Sequence, residues 1–215
     1  IKSSAASDVY KRQDGNGGHR RYALQASLNY ARKFGKHDVG AMFVYRMNEK
    51  KNNIAGTSEE NLLPYREQGM AGRVTYGFDN RYLFEASFGY NGSENFAPGK
   101  RWGFFPSVSA GWRISSEPFF SENIKFIDYM KLRGSIATLG NDAIGGWQWM
   151  ARYGITTGAV FNGLSYGLEP KEVPNPKLTW EKSTSYNIGF DSRWFRNKFD
   201  FSFEYFYRRT YDILD

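Results

Sequence analysis

The chain has 215 residues, a formal net charge of +7 and a high aromatic content of 18%. No run of about 18 apolar residues occurs, which argues against a helical membrane protein. The absence of cysteine excludes a disulfide framework and a thiolate metal site. Lysine and arginine are scattered rather than clustered, so the positive charge does not predict a nucleic-acid partner.

The N-terminal segment differs from the rest of the chain. Its first residues, Ile1 to Ser4, lack the apolar stretch of a secretory signal peptide. Residues 3–13 (SSAASDVYKRQ) resemble the translation of a sequencing adapter, and an ordinary disordered terminus is the alternative interpretation. We predict that residues 1–13 are non-native or disordered and that residues 14–215 form one partial β-barrel domain.

Alternation of apolar and polar residues predicts about eight strands, because successive side chains of a strand point to opposite faces. In Phe199–Arg208, Phe, Phe, Phe, Tyr and Tyr alternate with Asp, Ser, Glu, Phe and Arg. Phe206 is the one apolar residue of this segment in the polar phase. The predicted strands are 22–31, 39–46, 70–79, 82–91, 105–114, 131–138, 185–191 and 199–208.

The predicted connections alternate in length. Those at 35–38, 79–81 and 196–197 are short, whereas those at 48–67, 91–102 and 140–178 are long. The connection at 115–129 is intermediate, and we predict one or two helical turns within residues 121–130. Outer-membrane barrels have short periplasmic turns on one rim and long extracellular loops on the other.

Aromatic residues near the predicted strand ends also favour a membrane barrel, because Tyr and Trp prefer the membrane–water interface. These residues are Tyr22, Tyr30, Tyr82, Tyr90, Trp180 and Trp194. A strand of about ten residues tilted by about 45° rises ~23 Å, close to the ~25 Å apolar band of such barrels. The alternative is a soluble β-sandwich or propeller, which shows the same alternation.

Three segments carry a family resemblance: FFPSVSAGWRIS (104–115), KLRGSIATLGND (131–142) and NPKLTWEKSTSYNIGFD (175–191). In this order and spacing they resemble the SusC/RagA family of TonB-linked outer-membrane transporters, and YRRTYDIL (207–214) matches a strand end of that family. The resemblance extends over roughly residues 20–215. It identifies the chain as a C-terminal barrel fragment of a TonB-dependent receptor.

The resemblance implies a fold, a location and partners. The fold is an all-β antiparallel transmembrane barrel of about 22 strands with a plugged lumen, and this chain supplies about eight of them as an open, curved sheet. The implied location is the outer membrane of a Gram-negative bacterium. The implied partners are the lipid bilayer, a SusD-like surface lipoprotein and the TonB complex, which an N-terminal region absent from this chain contacts.

The implied function is TonB-dependent import of large nutrients, either oligosaccharides or oligopeptides. The alternative function is that of a soluble or surface-exposed β-protein that binds glycans without transport. We predict no enzymatic activity, because no Ser/His/Asp arrangement, phosphate-binding loop or dinucleotide motif occurs. No cofactor or metal is predicted either, since the two histidines, His19 and His37, lie apart.

The longest connection contains the candidate residues for contact with a solute or a partner protein. Flat aromatic rings stack on sugars, and amide and carboxylate groups bind hydroxyl or peptide groups. Packing against another loop or a partner would need the same residue types. The candidates are Asn141, Asp142, Trp147, Trp149, Tyr153, Asn162 and Tyr166.

Overall fold

The computed structural model describes residues 2–14, 17–54, 63–144, 147–160 and 164–213. Strands dominate these residues, as the alternation predicts. They are β1 (Lys2–Asp14), β2 (Gly17–Phe34), β3 (His37–Ile54), β4 (Tyr65–Phe78), β5 (Tyr82–Ser93), β6 (Trp102–Arg113), β7 (Ile127–Asn141), β8 (Arg152–Val160), β9 (Leu164–Glu172), β10 (Glu181–Trp194) and β11 (Phe199–Tyr211). A 3-10 helix (Ile114–Ser116) and the helix α1 (Pro118–Asn123) lie between β6 and β7.

Nine strands form one antiparallel sheet in the order β1-β2-β3-β4-β5-β6-β7-β10-β11, and β8 pairs only with β9. Strands β1 and β11 are the two edges, so the sheet does not close on itself within the described residues. This confirms the predicted open antiparallel sheet. None of the helices in the described ranges has the length and apolar character needed to cross a membrane.

The register separates the sheet into an apolar face and a polar face, because residues paired across antiparallel strands lie on the same face. One row across the apolar face is Tyr30, Ala41, Val74, Ala86, Val108, Ile136, Tyr186 and Tyr207. The adjacent row on the polar face is Asn29, Met42, Arg73, Ser87, Ser107, Ala137, Ser185 and Arg208. Most of the predicted facing is therefore confirmed.

The connections sort to two rims. The turn rim carries residues 35–36, 79–81, 114–126 and 195–198, and the loop rim carries residues 94–101, the connection from β7 to β10 (142–180) and the strand ends at Ile54 and Tyr65. At the turn rim, Asp79 and Asn80 both have positive φ, at 52° and 53°. Such a backbone suits the tight two-residue reversal between twisted strands, and it lies where a short connection was predicted, at 79–81. The pairing of Asp14 with Gly17 brings β1 and β2 together at the loop rim, which departs from the predicted parity.

Several elements differ from the sequence-based expectation. Residues 2–14 form β1, paired along its whole length with β2, rather than a disordered terminus. The interpretation of this segment as non-native sequence stays a prediction. The connection predicted at 140–178 begins after Asn141 and contains two further strands, β8 and β9. The helix begins and ends earlier than predicted, at Pro118 and Asn123, because β7 already starts at Ile127.

Candidate functional site

A small hydrophobic cluster, here called the loop core, joins the long connections at the loop rim. Phe96, Phe105 and Trp180 are buried, with Ile144 and Leu178 packed against them. The Trp180 ring centroid lies 5.3 Å from that of Phe96 and 5.2 Å from that of Phe105. These spacings are typical of aromatic pairs, so three separate segments converge on one core.

The loop core corrects the predicted position of Trp180. That residue was expected in an interfacial aromatic belt, yet its side chain is only 5% exposed. Strand β10 begins at Glu181, so alternation along β10 does not determine the direction of Trp180. Its indole N–H donates to the carbonyl oxygen of Arg101 at 3.0 Å, which satisfies the buried polar group.

Hydrogen bonds fix the loops around this core. The Arg101 Nε donates to the Phe96 carbonyl oxygen at 3.2 Å. Lys100 Nζ donates to the Lys177 carbonyl oxygen at 3.0 Å. The Trp149 indole donates to the Glu94 carbonyl oxygen at 3.3 Å. Residues 94–101 are thus tied to both ends of the 142–180 connection.

Two of the predicted site residues lie at the end of β7. Asn141 Oδ1 accepts a hydrogen bond from the backbone N–H of Ala143 at 3.0 Å. Asp142 Oδ2 accepts from the Tyr65 hydroxyl at 3.4 Å, and its carbonyl oxygen accepts from Asn95 Nδ2 at 3.0 Å. Asp142 is therefore held from two sides beside the loop core.

The remaining predicted residues lie farther along the same connection. Trp147 and Trp149 are neighbours, with ring centroids 6.2 Å apart. Tyr153 lies on β8 with 64% of its surface exposed. Asn162 lies outside the described residues, and for Tyr166 only the backbone, paired with Thr157, is described. The structure therefore brings Asp142 and Trp149 into contact with residues 94–101, with Asn141 and Trp147 next to them.

A pocket of about 350 Å³ lies beside the loop core on the polar face, and we call it the rim pocket. Its lining includes Arg46, Asn48, Glu67, Asn91, Asp142 and Trp180. Asn48 is buried, and its amide bridges Arg21 Nε at 2.8 Å and Glu67 Oε2 at 3.3 Å. Asp142 was predicted as a site residue, whereas Arg46, Asn48, Glu67 and Asn91 were not.

The missed residues come from three different strands. The register places Arg46 of β3 opposite Gly69 of β4, and Gly69 opposite Asn91 of β5. A Cβ atom at Gly69 would overlap the amide oxygen of Asn91. Because glycine has no side chain, the Asn91 amide can lie over this position. Only cross-strand register could have identified this group from the sequence, because no local motif contains it.

Comparison with known proteins identifies the chain. Residues 2–215 match the family described as TonB dependent receptor-like, beta-barrel. The chain belongs to this TonB-dependent receptor family. TonB-dependent receptor P39 of Formosa agariphila is 30% identical over 172 residues, which cover 80% of this chain and 16% of that protein. TonB-dependent receptor SusC of Bacteroides thetaiotaomicron is 30% identical over 148 residues, 67% of this chain and 15% of SusC.

Solved structures of RagAB share the fold. The RagAB peptide transporter aligns with a TM-score of 0.71 at 22% identity, covering 90% of this chain and 24% of that chain. The RagAB peptide importer in the closed-closed state aligns with a TM-score of 0.74 at 22% identity, covering 97% of this chain and 28% of the other. The predicted resemblance to SusC and RagA is therefore confirmed.

The chain matches only a small part of each related TonB-dependent receptor. It spans about a sixth of the length of the curated relatives P39 and SusC. The alignments with the RagAB structures cover 90% and 97% of this chain, and about a quarter of the other chains.

Proposed function

We propose that this TonB-dependent receptor chain forms part of an outer-membrane barrel wall and its extracellular loops, in a transporter that imports large nutrients. The observation that carries the proposal is the exposed apolar face of the nine-stranded sheet. A contiguous apolar surface of this size needs a covering partner, and in an outer-membrane barrel the lipid acyl chains supply it.

The apolar face runs across all strands whose side chains are described. Large side chains remain about half exposed on it, including Val74 at 50%, Ile136 at 53% and Phe203 at 56%. Tyr90 stacks on Trp102 near the loop rim, with centroids 4.7 Å apart. Amphipathic rings at this height are typical of an interfacial girdle.

The polar face carries charges that compensate one another. Arg73 pairs with Glu85 at 2.5 Å, and Arg133 pairs with Asp191 and Glu204 at 3.2 and 2.9 Å. These groups are partly exposed. Such a face suits a wet lumen, which supports the assignment of this side to the inside of the barrel.

The relatives suggest the wider function. One is named SusC and the structural matches are titled RagAB peptide transporter or importer. We infer an oligosaccharide or oligopeptide solute, a SusD-like lipoprotein at the loop rim and energy delivered through TonB. The loop core would then support the surface that meets solute or lipoprotein. Asn141, Asp142, Trp147, Trp149, Tyr153, Asn162 and Tyr166 remain the proposed contact residues within the loops.

Site-directed labelling of the complete receptor in outer-membrane vesicles tests this proposal. Ile188 and Asn187 are consecutive in β10 and lie on the apolar and polar faces respectively. We expect Ile188→Cys to react with a lipid-soluble reagent and to resist a water-soluble maleimide, and Asn187→Cys to show the reverse. Equal reaction of both cysteines with the maleimide, or recovery of the receptor in the soluble fraction, would contradict the membrane location.

A further inference from the structure

We propose that the rim pocket is a binding subsite for the hydroxyl groups of a neutral sugar residue. The inference rests on the proposed function, in that it names the solute class that the loop end of the wall would recognise. It depends on the side chains of three neighbouring strands and on the loop core that closes one side of the pocket.

The pocket offers fixed groups with complementary hydrogen-bonding roles. Glu67 and Asp142 carry carboxylates, which only accept, whereas Arg46 carries a guanidinium, which only donates. The Asn91 amide does both. Sugar hydroxyls donate and accept, so adjacent hydroxyls can satisfy a carboxylate and a guanidinium at once. Among the described residues, the side chains of Arg46 and Asn91 have no hydrogen-bond partner.

Two of the polar groups, the carboxylates of Glu67 and Asp142, are held in place before a ligand arrives. Asn48 bonds to both Arg21 and Glu67, and the Tyr65 hydroxyl donates to Asp142. Preorganised groups lose little conformational entropy on binding, which favours affinity. These two acceptors are therefore positioned for a ligand, and Arg46 and Asn91 supply the donors that a ligand would order.

The balance of charge disfavours an anionic ligand. Two carboxylates, of Glu67 and Asp142, and one guanidinium, of Arg46, line the same pocket. An anion would be repelled by the net negative charge of these three groups. A neutral polyhydroxy ligand avoids that repulsion and keeps all three groups hydrogen-bonded.

The backbone of the pocket wall argues against recognition of a peptide by strand addition. At this level β3 pairs with β2 and β4 (Arg46 with Gln25 and Gly69), and β5 pairs with β4 and β6 (Asn91 with Gly69 and Gly103). Strand addition needs an exposed sheet edge, which these strands do not offer. Recognition here must therefore come from side chains.

The size of the pocket completes the argument. A volume of about 350 Å³ lies at the lower end of the ~300–1,000 Å³ range of small-molecule sites, which suits one sugar residue of a longer chain. Trp180 borders the pocket but is only 5% exposed, because its ring packs against Phe96 and Phe105. Recognition therefore depends on the polar side chains rather than on stacking against this ring.

The test uses the complete receptor in detergent, applied to an array of neutral oligosaccharides and to a matched array of peptides. We expect binding to at least one neutral oligosaccharide. Asn91→Ala and Glu67→Gln should each weaken that binding about tenfold, as expected for the loss of one good hydrogen bond. Glu67→Gln keeps the side-chain shape, and Asn91 has an exposed side chain, so both variants are expected to fold.

Asn29→Ala is the matched control, because Asn29 is an exposed asparagine on the same polar face that does not line this pocket. Binding of peptides alone, or unchanged oligosaccharide affinity in both pocket variants, would overturn the inference. Cysteine labelling at Ile188 and Asn187 reports the membrane location independently, so failure of the sugar subsite and failure of the proposed transporter are distinguishable.

Discussion

The hydroxyl group of Tyr82 donates a 2.7 Å hydrogen bond to the carboxylate of Glu117 and so ties the start of β5 to the connection after β6. The Trp112 indole and the Arg81 guanidinium donate to the same carboxylate at 3.1 and 3.3 Å. Glu117 is buried, and these partners make it the centre of a hydrogen-bonded group at the turn rim.

This arrangement predicts a pH-dependent stability of the turn rim. Hydrogen bonds from Tyr82 and Trp112, with Arg81 nearby, lower the pKa of Glu117 below its ordinary value of 4.5. A carboxyl group with a lowered pKa in the folded state stabilises the fold above the ordinary pKa, and this stabilisation is lost as the pH falls through the lowered value. We expect Glu117→Gln to remove that component of the acid sensitivity.

Urea unfolding of the complete receptor in detergent, measured from neutral pH to acid, checks this prediction. Glu122→Gln is the control, because Glu122 is an exposed carboxylate of α1 in the same connection. Glu117→Gln should lower the urea midpoint at neutral pH and flatten its fall in acid, whereas Glu122→Gln should do neither. Identical pH profiles for the two variants would contradict the assigned role.

Gly140, near the end of β7, leaves room for the ring of Phe105 in the loop core. A Cβ atom at Gly140 would overlap the ring of Phe105, which is buried in the loop core against Trp180 and has little room to move. We expect Gly140→Ala to destabilise the loop rim by about 1–3 kcal/mol, the usual cost of overpacking. Proteolysis of residues 94–101 in the complete receptor measures the effect.

Gly134→Ala provides the matched control in the same strand. A Cβ atom at Gly134 would lie 3.8 Å from the Asn187 carbonyl oxygen, an ordinary van der Waals distance. The rate of cleavage should therefore rise for Gly140→Ala and stay at the wild-type value for Gly134→Ala. Equal rates for both variants would show that Phe105 does not occupy this space.

Alternation predicted the sheet because each strand places apolar side chains on one face and polar side chains on the other. Even Phe206, the residue that did not fit, lies on the polar face opposite Asn187 and is 65% exposed. The β8–β9 hairpin escaped prediction, since its segments RYGITTGAV and LSYGLEPKE contain glycines and Pro170 instead of a clear alternation. Within the described part of the chain, these two strands form a separate two-stranded sheet.

The candidate site was less predictable than the sheet. Loop composition identified Asp142 and the tryptophans, but it did not identify Asn48, Glu67 or Asn91, which become neighbours only through register. The interfacial position predicted for Trp180 from its place near a strand end is wrong, because Trp180 precedes the first residue of β10, Glu181. Long-range packing against Phe96 and Phe105 then determined its direction, and no local pattern encodes that contact.

A group of three charged side chains on β7, β10 and β11 predicts how the stability of the sheet depends on salt concentration. Arg133 Nε lies 3.2 Å from Asp191 Oδ2, and its guanidinium also lies 2.9 Å from Glu204 Oε2. All three side chains are about a third to a half exposed, so solvent screens the pairs. We expect Arg133→Met to lower the free energy of unfolding by no more than about 1 kcal/mol in dilute buffer.

The same loss should vanish at about 1 M salt, where the screening length is about 3 Å. Arg193→Met is a useful comparison, because Arg193 and Asp200 lie 3.6 Å apart and are more exposed, so its effect should be smaller. A loss that persists unchanged at high salt would indicate that Arg133 stabilises the wall by packing rather than by charge.

The facing of β6 gives the most direct prediction about the bilayer. Val108 and Ser109 are consecutive, with Val108 on the apolar face at 45% exposure and Ser109 on the polar face opposite Ser135. An arginine on the lipid face near the bilayer midplane costs about 2–4 kcal/mol, whereas substitutions on the lumen face mainly alter selectivity. Val108→Arg should therefore destabilise the complete receptor in phospholipid vesicles by that amount, and Ser109→Arg should have a smaller effect.

Phe203→Arg on β11 should resemble Val108→Arg, because Phe203 lies on the same face. Equal losses for Val108→Arg and Ser109→Arg, measured by urea unfolding, would refute the assignment of the apolar face to lipid.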